Sequence, residues 1–363
     1  MSRTISILGT AVKQLLGALF VFSALSKFVA LDQFNVYVFS FGFVSLNLSI
    51  LAGWAIVSFE MLLGVAMISN RYHRWVSWAN IGMLLLFSIF LLYALLSGRT
   101  DSCHCMGEML PFNPLQSLLK NVVLLVLSLF SLRYVDEEWR PRWWLSLVVV
   151  VLPVAIFALG AFLGWTRMTV IDFQYSMIFA AAAIGMAVLA SFRFADKVWL
   201  QILLALVPFV MVMVLDTYAS LFMHKGTTRF NRDLFEEVLR TDDQLEGCEL
   251  GKGRQLVAIF SPTCPYCHLA AEKLSMIVDR HELSIERVSV LFPGDSVVAH
   301  PDFFEETHSP EYRQLALDVD NYVKVTYGQL PVLVLLEDGK VSATYDHANL
   351  SEKAIVEWLS SDQ

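Results

Sequence analysis

An all-α polytopic membrane helical bundle of about seven spans, followed by a separate α/β domain, is the multi-domain fold class that this chain predicts. Three observations predict it. The 363 residues are 56% hydrophobic and only 17% charged, with a mean hydropathy of +0.57, which is too apolar for an ordinary soluble enzyme. The apolar excess lies almost wholly before about residue 223, in stretches of roughly 20 residues, the length a helix needs to cross a hydrocarbon core of about 30 Å. Charge changes at the same place. From residue 224 onward, 13 Lys and Arg stand against 24 Asp and Glu, a net of −11, which leaves +3 for the preceding half of a total of −8. An acidic C-terminal domain argues against nucleic acid as a partner, and against docking onto anionic lipid.

The spans are predicted near residues 9–30, 46–69, 75–97, 116–134, 143–164, 174–192 and 198–222. The first is not a cleaved signal peptide, because it is long, contains Lys27, lacks a small-x-small site and precedes further spans. Arg71 with Arg74, then Arg133, Arg140 and Arg142, then Arg193 with Lys197 fall in alternate loops, and Arg3 and Lys13 flank the first span on the same side. The other side carries only Lys27, Arg99, Lys120 and Arg167. Since Lys and Arg are enriched in cytoplasmic loops, the N-terminus is predicted inside. With an odd number of spans the C-terminal domain then lies outside, as does the loop holding Cys103 and Cys105. The expected setting is a bacterial inner membrane with the domain in the periplasm, an oxidising compartment where disulfides persist. Residues 1–138 form the first membrane domain, 139–223 about three additional helices, and 224–363 the extracytoplasmic domain. The additional helices, with Pro153, Pro208, Ala180 to Ala183 and Gly185, carry no chemistry and read as scaffold or partner surface.

In the C-terminal domain the pattern predicts a helix over 231–240, a strand over 255–261, a helix from Cys264-Pro265-Tyr266-Cys267 to about Arg280 and a strand over 287–292. An irregular, polar insertion and a second helical stretch come next. The strand 332–337, an Asp338-Gly339 turn, the strand 340–345 and an amphipathic helix from Ser351 complete it. The order is βαβ followed by ββα. Together with Ser261-Pro262-Thr263-Cys264-Pro265-Tyr266-Cys267 and Leu330-Pro331, it resembles the thioredoxin fold. That resemblance implies a cis-proline at Pro331 facing the cysteine pair. A cysteine at a helix N-terminus sees unpaired N–H groups and the positive dipole end, which favour the thiolate. Cys264 is the expected nucleophile and Cys267, one turn in, the resolving thiol, with Pro265, Tyr266 and Leu330 in support. Half a zinc site is the alternative, but it needs two more ligands, and only His268, His300, His308 and Cys248 are at hand. Two departures stand out. The strand position beneath the pair, where thioredoxins carry a buried acid, is Ala258, and the Cys-Pro-Tyr-Cys spelling is that of glutaredoxins. Cys248 reads as a buried structural thiol, and His268 as a cap on an exposed helix face.

A second thiol pair lies in the membrane half, in Asp101-Ser102-Cys103-His104-Cys105-Met106-Gly107. With Ser26-Lys27 at the end of the first span, and Glu60 with Leu62-Leu63-Gly64 in the second, it makes residues 8–135 similar to the DoxX and MauE-type redox-associated membrane family. The stretch matches that family's Cys-x-Cys-x-Gly signature, with Met106 where an aromatic is commoner. A Cys-x-Cys bridge closes a small ring and is more oxidising than a relaxed one, so it readily accepts electrons from a Cys-x-x-Cys dithiol. Cys103-His104-Cys105 as a copper or zinc site is the alternative. Lys27 and Glu60 are ionisable groups in or near spans. They are expected to face the bundle interior, either as a structural ion pair or in proton or quinone handling.

The functional expectation is a membrane-bound thiol:disulfide oxidoreductase, in which Cys264 and Cys267 exchange disulfides with client proteins and with Cys103 and Cys105. No residue marks a cofactor or a resident metal. A membrane quinone enters as electron carrier only by analogy with other membrane disulfide systems. Two other readings stand beside it: an outward-directed thiol reductase in metalloprotein or cytochrome maturation, and a non-catalytic metal-delivery or assembly factor using Cys103, His104 and Cys105.

Overall fold

A computed structural model describes residues 3–29, 31–68, 70, 73–98, 112–135, 230–241, 245, 250–294 and 296–360. The predicted spans at 143–164, 174–192 and 198–222 lie outside these residues, as do Cys103, His104, Cys105 and Cys248. The chain divides into two compact units, Met1–Val38 with Asn47–Val214, and Phe39–Leu46 with Leu215–Gln363.

The first unit contains α1 (Arg3–Val29), α2 (Leu31–Phe39), α3 (Leu46–Ile68), α4 (His73–Leu96) and α5 (Pro114–Tyr134). Among the described residues, the four helices α1, α3, α4 and α5 are long and apolar enough to cross a membrane, at the places the hydropathy predicts. The short α2 was not foreseen, since at nine residues it gives no spanning signal. Helix α5 starts at Pro114 because Asn113 and Gln116 form a capping box and proline occupies the first turn. Leu85, Leu86, Ile89, Leu119, Val122 and Val126 of α4 and α5 stay exposed, as residues facing lipid tails do.

Lipid tails are as apolar as leucine, so these helices are joined by close packing and polar contacts. Asn80 of α4 donates to Ser128 Oγ of α5 at 2.7 Å. Lys13 of α1 donates to Asn70 at 2.8 Å, and Gln14 to the Ile68 carbonyl at the end of α3. Lys13 is fully buried, and Lys27 nearly so. The sequence predicts Lys27 to face the interior but Lys13 to flank the first span; one is counted for each side, so the charge bias between loops rests on the other basic residues. Gly17 of α1 and Gly64 of α3 let the two backbones touch. A Cβ on Gly64 would lie 2.9 Å from the Gly17 carbonyl, and one on Gly17 2.9 Å from the Gly64 carbonyl. Gly64→Leu is therefore expected to push α1 and α3 apart and to cost about 1–3 kcal/mol, read as a lowered Tm of the detergent-solubilised protein.

The second unit is built on a five-stranded sheet in the order β3-β2-β1-β4-β5. Its elements are α6 (Arg232–Thr241), β1 (Arg254–Ile259), α7 (Pro265–Arg280), β2 (Val288–Pro293), α8 (Pro301–Glu306), β3 (Arg313–Leu317), α9 (Val319–Thr326), β4 (Val332–Glu337), β5 (Lys340–Tyr345) and α10 (Glu352–Ser360). Strand β1 is central, parallel to β2 and antiparallel to β4. The period of two along the strands makes two cores. Leu256, Ala258, Val290 and Leu335 pack with Ala270, Leu274 and Ile277 of α7 and Ile355 and Leu359 of α10. Val257, Ile259, Leu291 and Val334 pack with Phe235 and Val238 of α6 and Tyr322 and Val325 of α9. A sheet covered on both faces reads as continuous apolar runs, which is why β1 and β4 were legible. The predicted βαβ and ββα are present, and Asp338 and Gly339 take the turn at φ 50 and 74, the left-handed pair that a two-residue hairpin requires.

The insertion is where the sequence reading is corrected. Residues 313–317, taken as part of an irregular polar segment, form β3, an edge strand parallel to β2. Just ahead of it α8 buries Phe303 and Phe304 in the same core as Phe292. A five-residue edge strand half exposed at its start, and two adjacent phenylalanines on a six-residue helix, display neither the strand nor the helix period.

Candidate active site: the Cys264–Cys267 turn

Strand β1 ends at Ile259 and α7 begins at Pro265, so residues 260–264 form the turn that carries the thiols. Cys264 is the residue before the helix, with an extended backbone at φ −88 and ψ 114 and no side-chain cap. Its carbonyl accepts from the Cys267 and His268 N–H groups at 3.0 and 3.2 Å, closing the first turn. Proline at the first helical position has no N–H to leave unsatisfied, which explains Pro265. Cys264 is half-buried and Cys267 buried, so an incoming disulfide meets Cys264 first.

The two sulfurs are electrostatically unequal. The Cys267 thiol, donating to the Cys264 sulfur, pushes Cys264 down from an ordinary value of 9.0 to about 6. Partial desolvation opposes this, and the backbone N–H groups of Cys267 and Tyr266 assist it. Burial pushes Cys267 up, and so does the neighbouring Cys264 sulfur, although the Ser261 N–H at 3.4 Å from its sulfur works the other way. Cys264 is thus the thiolate at neutral pH and Cys267 holds the proton. Because its folded-state value is depressed, the stabilisation that Cys264 gives the reduced protein is full above pH 9 and is lost as pH falls through about 6. The matching expectation is an iodoacetamide alkylation rate of Cys264 that rises with a midpoint near pH 6; a midpoint near 9 would contradict this environment.

The Leu330–Pro331 peptide is cis, as the thioredoxin resemblance implied. Pro331 directly precedes β4, whose first residue, Val332, pairs with Ile259. The bond therefore lies at the end of the sheet where the thiol turn begins. Leu330 packs against both cores. Tyr266 is half-buried, its ring 4.5 Å from that of His347, while the buried Lys273 of α7 donates to the His347 carbonyl at 2.8 Å. Ala258 is fully buried, so no acid lies at that strand position.

Two groups near the pair were missed. His268 is not an exposed cap. Its Nε2 lies 2.7 Å from the Pro262 carbonyl, its Nδ1 3.5 Å from Glu306 of α8, and its ring meets Phe303 edge-on at 4.8 Å. A carbonyl only accepts, so Nε2 carries the proton, and the ring ties the thiol turn to the insertion. Tyr322 of α9 donates to the Phe260 carbonyl at 2.9 Å. Burial pushes its hydroxyl well above the usual range, with smaller contributions from Cys267 and Cys264. Nothing in the spacing of His268 or Tyr322 signals these roles, since both partners are brought by other elements.

In the first unit, the predicted Lys27–Glu60 pair forms. Lys27 Nζ lies 2.7 Å from Glu60 Oε1 and 2.9 Å from Oε2, and donates to Ser23 Oγ at 2.8 Å. Both side chains are almost wholly buried, at 2% and 4% exposure. Among the described residues no three His, Cys, Asp or Glu side chains cluster as metal ligands do.

Comparison with known proteins bears on both units. The protein TlpB of Flavobacterium psychrophilum is 23% identical over 317 residues, covering 83% of this chain and 81% of that protein. Two solved structures match 32% of this chain at 15% identity and a TM-score of 0.24. One is a secreted Mycobacterium tuberculosis disulfide oxidoreductase homologous to E. coli DsbE, covered over 86% of its length, and the other a thiol:disulfide interchange protein from Bacteroides sp., covered over 79%. The family model of the methylamine utilisation protein MauE matches residues 5–134, and DoxX is not part of that match. The four membrane-length helices α1, α3, α4 and α5 thus lie in a MauE family domain at the N-terminus of the chain.

Proposed function

We propose that the protein is a membrane-bound thiol:disulfide oxidoreductase in which Cys264 and Cys267 exchange disulfides with client proteins and with Cys103 and Cys105. The observation that carries this is the unequal pair at the start of α7: a half-exposed Cys264 held as thiolate in front of a buried, protonated Cys267. A relative that aligns over 317 residues, more than either half contains, supports the membrane half and the soluble domain working as one protein.

The working direction is oxidation of clients. A client thiolate attacks Cys264 of the oxidised pair, breaking the Cys264–Cys267 bond, and Cys267 leaves and takes up a proton. A second client thiol then attacks the client sulfur of the mixed disulfide, releasing Cys264 as thiolate. The client is oxidised by two electrons and the pair reduced by two. Stabilising the Cys264 thiolate stabilises the reduced pair, which makes its disulfide the better donor. Cys103 and Cys105, as a disulfide, would reoxidise it by the same exchange. They would in turn pass two electrons to a lipid-soluble acceptor, for which a membrane quinone is the chemical class. This scheme needs all four sulfurs on one aqueous side of a bacterial inner membrane, with the N-terminus cytoplasmic and the C-terminal domain periplasmic. In-cell alkylation tests the direction: Cys264 and Cys267 are expected mostly blocked as disulfide, and a mostly alkylated pair would assign the reductase direction instead.

A further inference from the structure

Between α1, α3, α4 and α5 lies a cavity of about 230 Å³, lined by Lys27, Glu60, Ser23, Lys120 and Asn121 along with Phe20, Phe87 and Phe112 and leucines. We infer that this cavity is a binding site for the head group of a membrane quinone, an inference that rests on the electron path proposed above. The residues fit that group in size, polarity and access.

An apolar cavity of about 150 Å³ holds a benzene molecule, so this one has room for a single substituted six-membered ring and not for a large fused ring system. Its aromatic and leucine walls suit a flat ring. Its polar lining carries two ammonium groups, Lys27 of α1 and Lys120 of α5, and the Asn121 amide, with Ser23 and the Glu60 carboxylate held on Lys27. Positive charge on two helices suits a ligand with electron-rich oxygens on more than one edge, and a quinone presents two carbonyl oxygens across one ring. The site also lies among helices of membrane length, which selects a lipid-soluble ligand.

The ion pair is the stronger argument. Taking Lys27 and Glu60 out of water is costly, and replacing such a pair by apolar residues is often neutral or stabilising. Ionisable groups inside spans by default mark a functional path. Here both border a cavity, with Lys27 locked by Glu60 and Ser23 so that its charge is fixed in place beside the ligand. When bound, a quinone would supply two-electron, two-proton acceptance, matching the two electrons and two protons that oxidation of two thiols to a disulfide releases. Lys27, held by Glu60 and Ser23, would fix a positive charge beside the carbonyl edge.

The test uses the full chain in lipid nanodiscs and a short-tailed azido-benzoquinone as photolabel, with labelled peptides mapped by mass spectrometry. Label is expected on cavity-lining peptides of α1, α3, α4 and α5, saturable, and reduced at least tenfold by excess decyl-ubiquinone. Two variants separate space from anchor. Leu124→Trp fills the room and keeps the ion pair; Lys27→Met with Glu60→Leu keeps the room and removes the pair. Each should lower labelling at least tenfold. Unsaturable label, label elsewhere, label in either variant undiminished from wild type, or equal competition by a saturated fatty acid would overturn the inference. Mixed-disulfide trapping through Cys264 in the same samples keeps the two claims apart: trapping without cavity labelling sinks the quinone site alone, and labelling without trapping sinks the exchange mechanism.

Discussion

Serine in place of Cys264 is expected to bring disulfide exchange by the full-length protein to the uncatalysed background, while Cys267→Ser is expected to accumulate a mixed disulfide through Cys264. The asymmetry follows from the geometry. Cys264 is the sulfur an incoming disulfide reaches, and its thiolate is the nucleophile. A serine hydroxyl at that position forms no disulfide, so no bypass exists. Cys267 is buried directly behind, and its task is to attack Cys264 from within and release the partner. Without it no Cys264–Cys267 disulfide exists for a client to attack. The Cys264 thiolate instead attacks an incoming disulfide, that of Cys103 and Cys105 or that of a client, and the mixed disulfide persists. Non-reducing electrophoresis with mass spectrometry identifies the trapped partner, either a client or a peptide containing Cys103 or Cys105. If Cys267→Ser traps neither while far-ultraviolet circular dichroism and proteolysis show the domain folded, exchange is not what this pair does. Cys267→Ser also removes the thiol that donates to the Cys264 sulfur, so the alkylation midpoint of Cys264 should move upward from about 6.

The second large effect is on stability. Lys27→Met alone is expected to destabilise the membrane unit by about 3–5 kcal/mol, because it leaves the Glu60 carboxylate buried without its cation. Ser23, which also donates to Glu60 at 3.3 Å, offsets only part of that. Lys27→Met combined with Glu60→Leu is expected to recover most of the loss, since no isolated charge then remains. Thermal unfolding of the detergent-solubilised protein, with the two singles and the double, measures the coupling directly. Additive losses in the double variant would show that the 2.7 Å contact contributes nothing beyond its two members. The cycle separates stability from ligand binding, because the double variant is predicted to fold well and to lose the quinone head group.

How much of this was legible in the sequence can be argued from single residues. Hydropathy marks α1, α3, α4 and α5 because a lipid-facing helix must be apolar along a whole span. The thiol turn is equally visible, since an apolar strand running into Cys-Pro-Tyr-Cys places a cysteine at a helix start by local geometry alone. Asp338-Gly339 signals its hairpin because few residue pairs accept positive φ twice. Strand β3, by contrast, was read as irregular: it is short, lies at a sheet edge, and gains its identity only from pairing with β2. His268 and Lys13 were misjudged for a related reason. A polar side chain in one stretch says nothing of the carbonyl, carboxylate or amide that another stretch will bring to it.

Local chemistry alone thus determined which segments are membrane-length helices, where the redox-type turn sits, and that Lys27 and Glu60 should face the bundle interior. The resemblance to the thioredoxin fold implied that Leu330–Pro331 belongs beside the turn. Tertiary structure alone decided that a buried Cys267 thiol donating to the Cys264 sulfur is what chiefly holds its charge, that His268 and Tyr322 brace the turn, that Lys27 and Glu60 pair, and that the ion pair opens onto a cavity sized for one ring. Proton affinity, bracing and enclosed space arise from atoms far apart along the chain. They exist only once the burial of apolar faces has brought those atoms together.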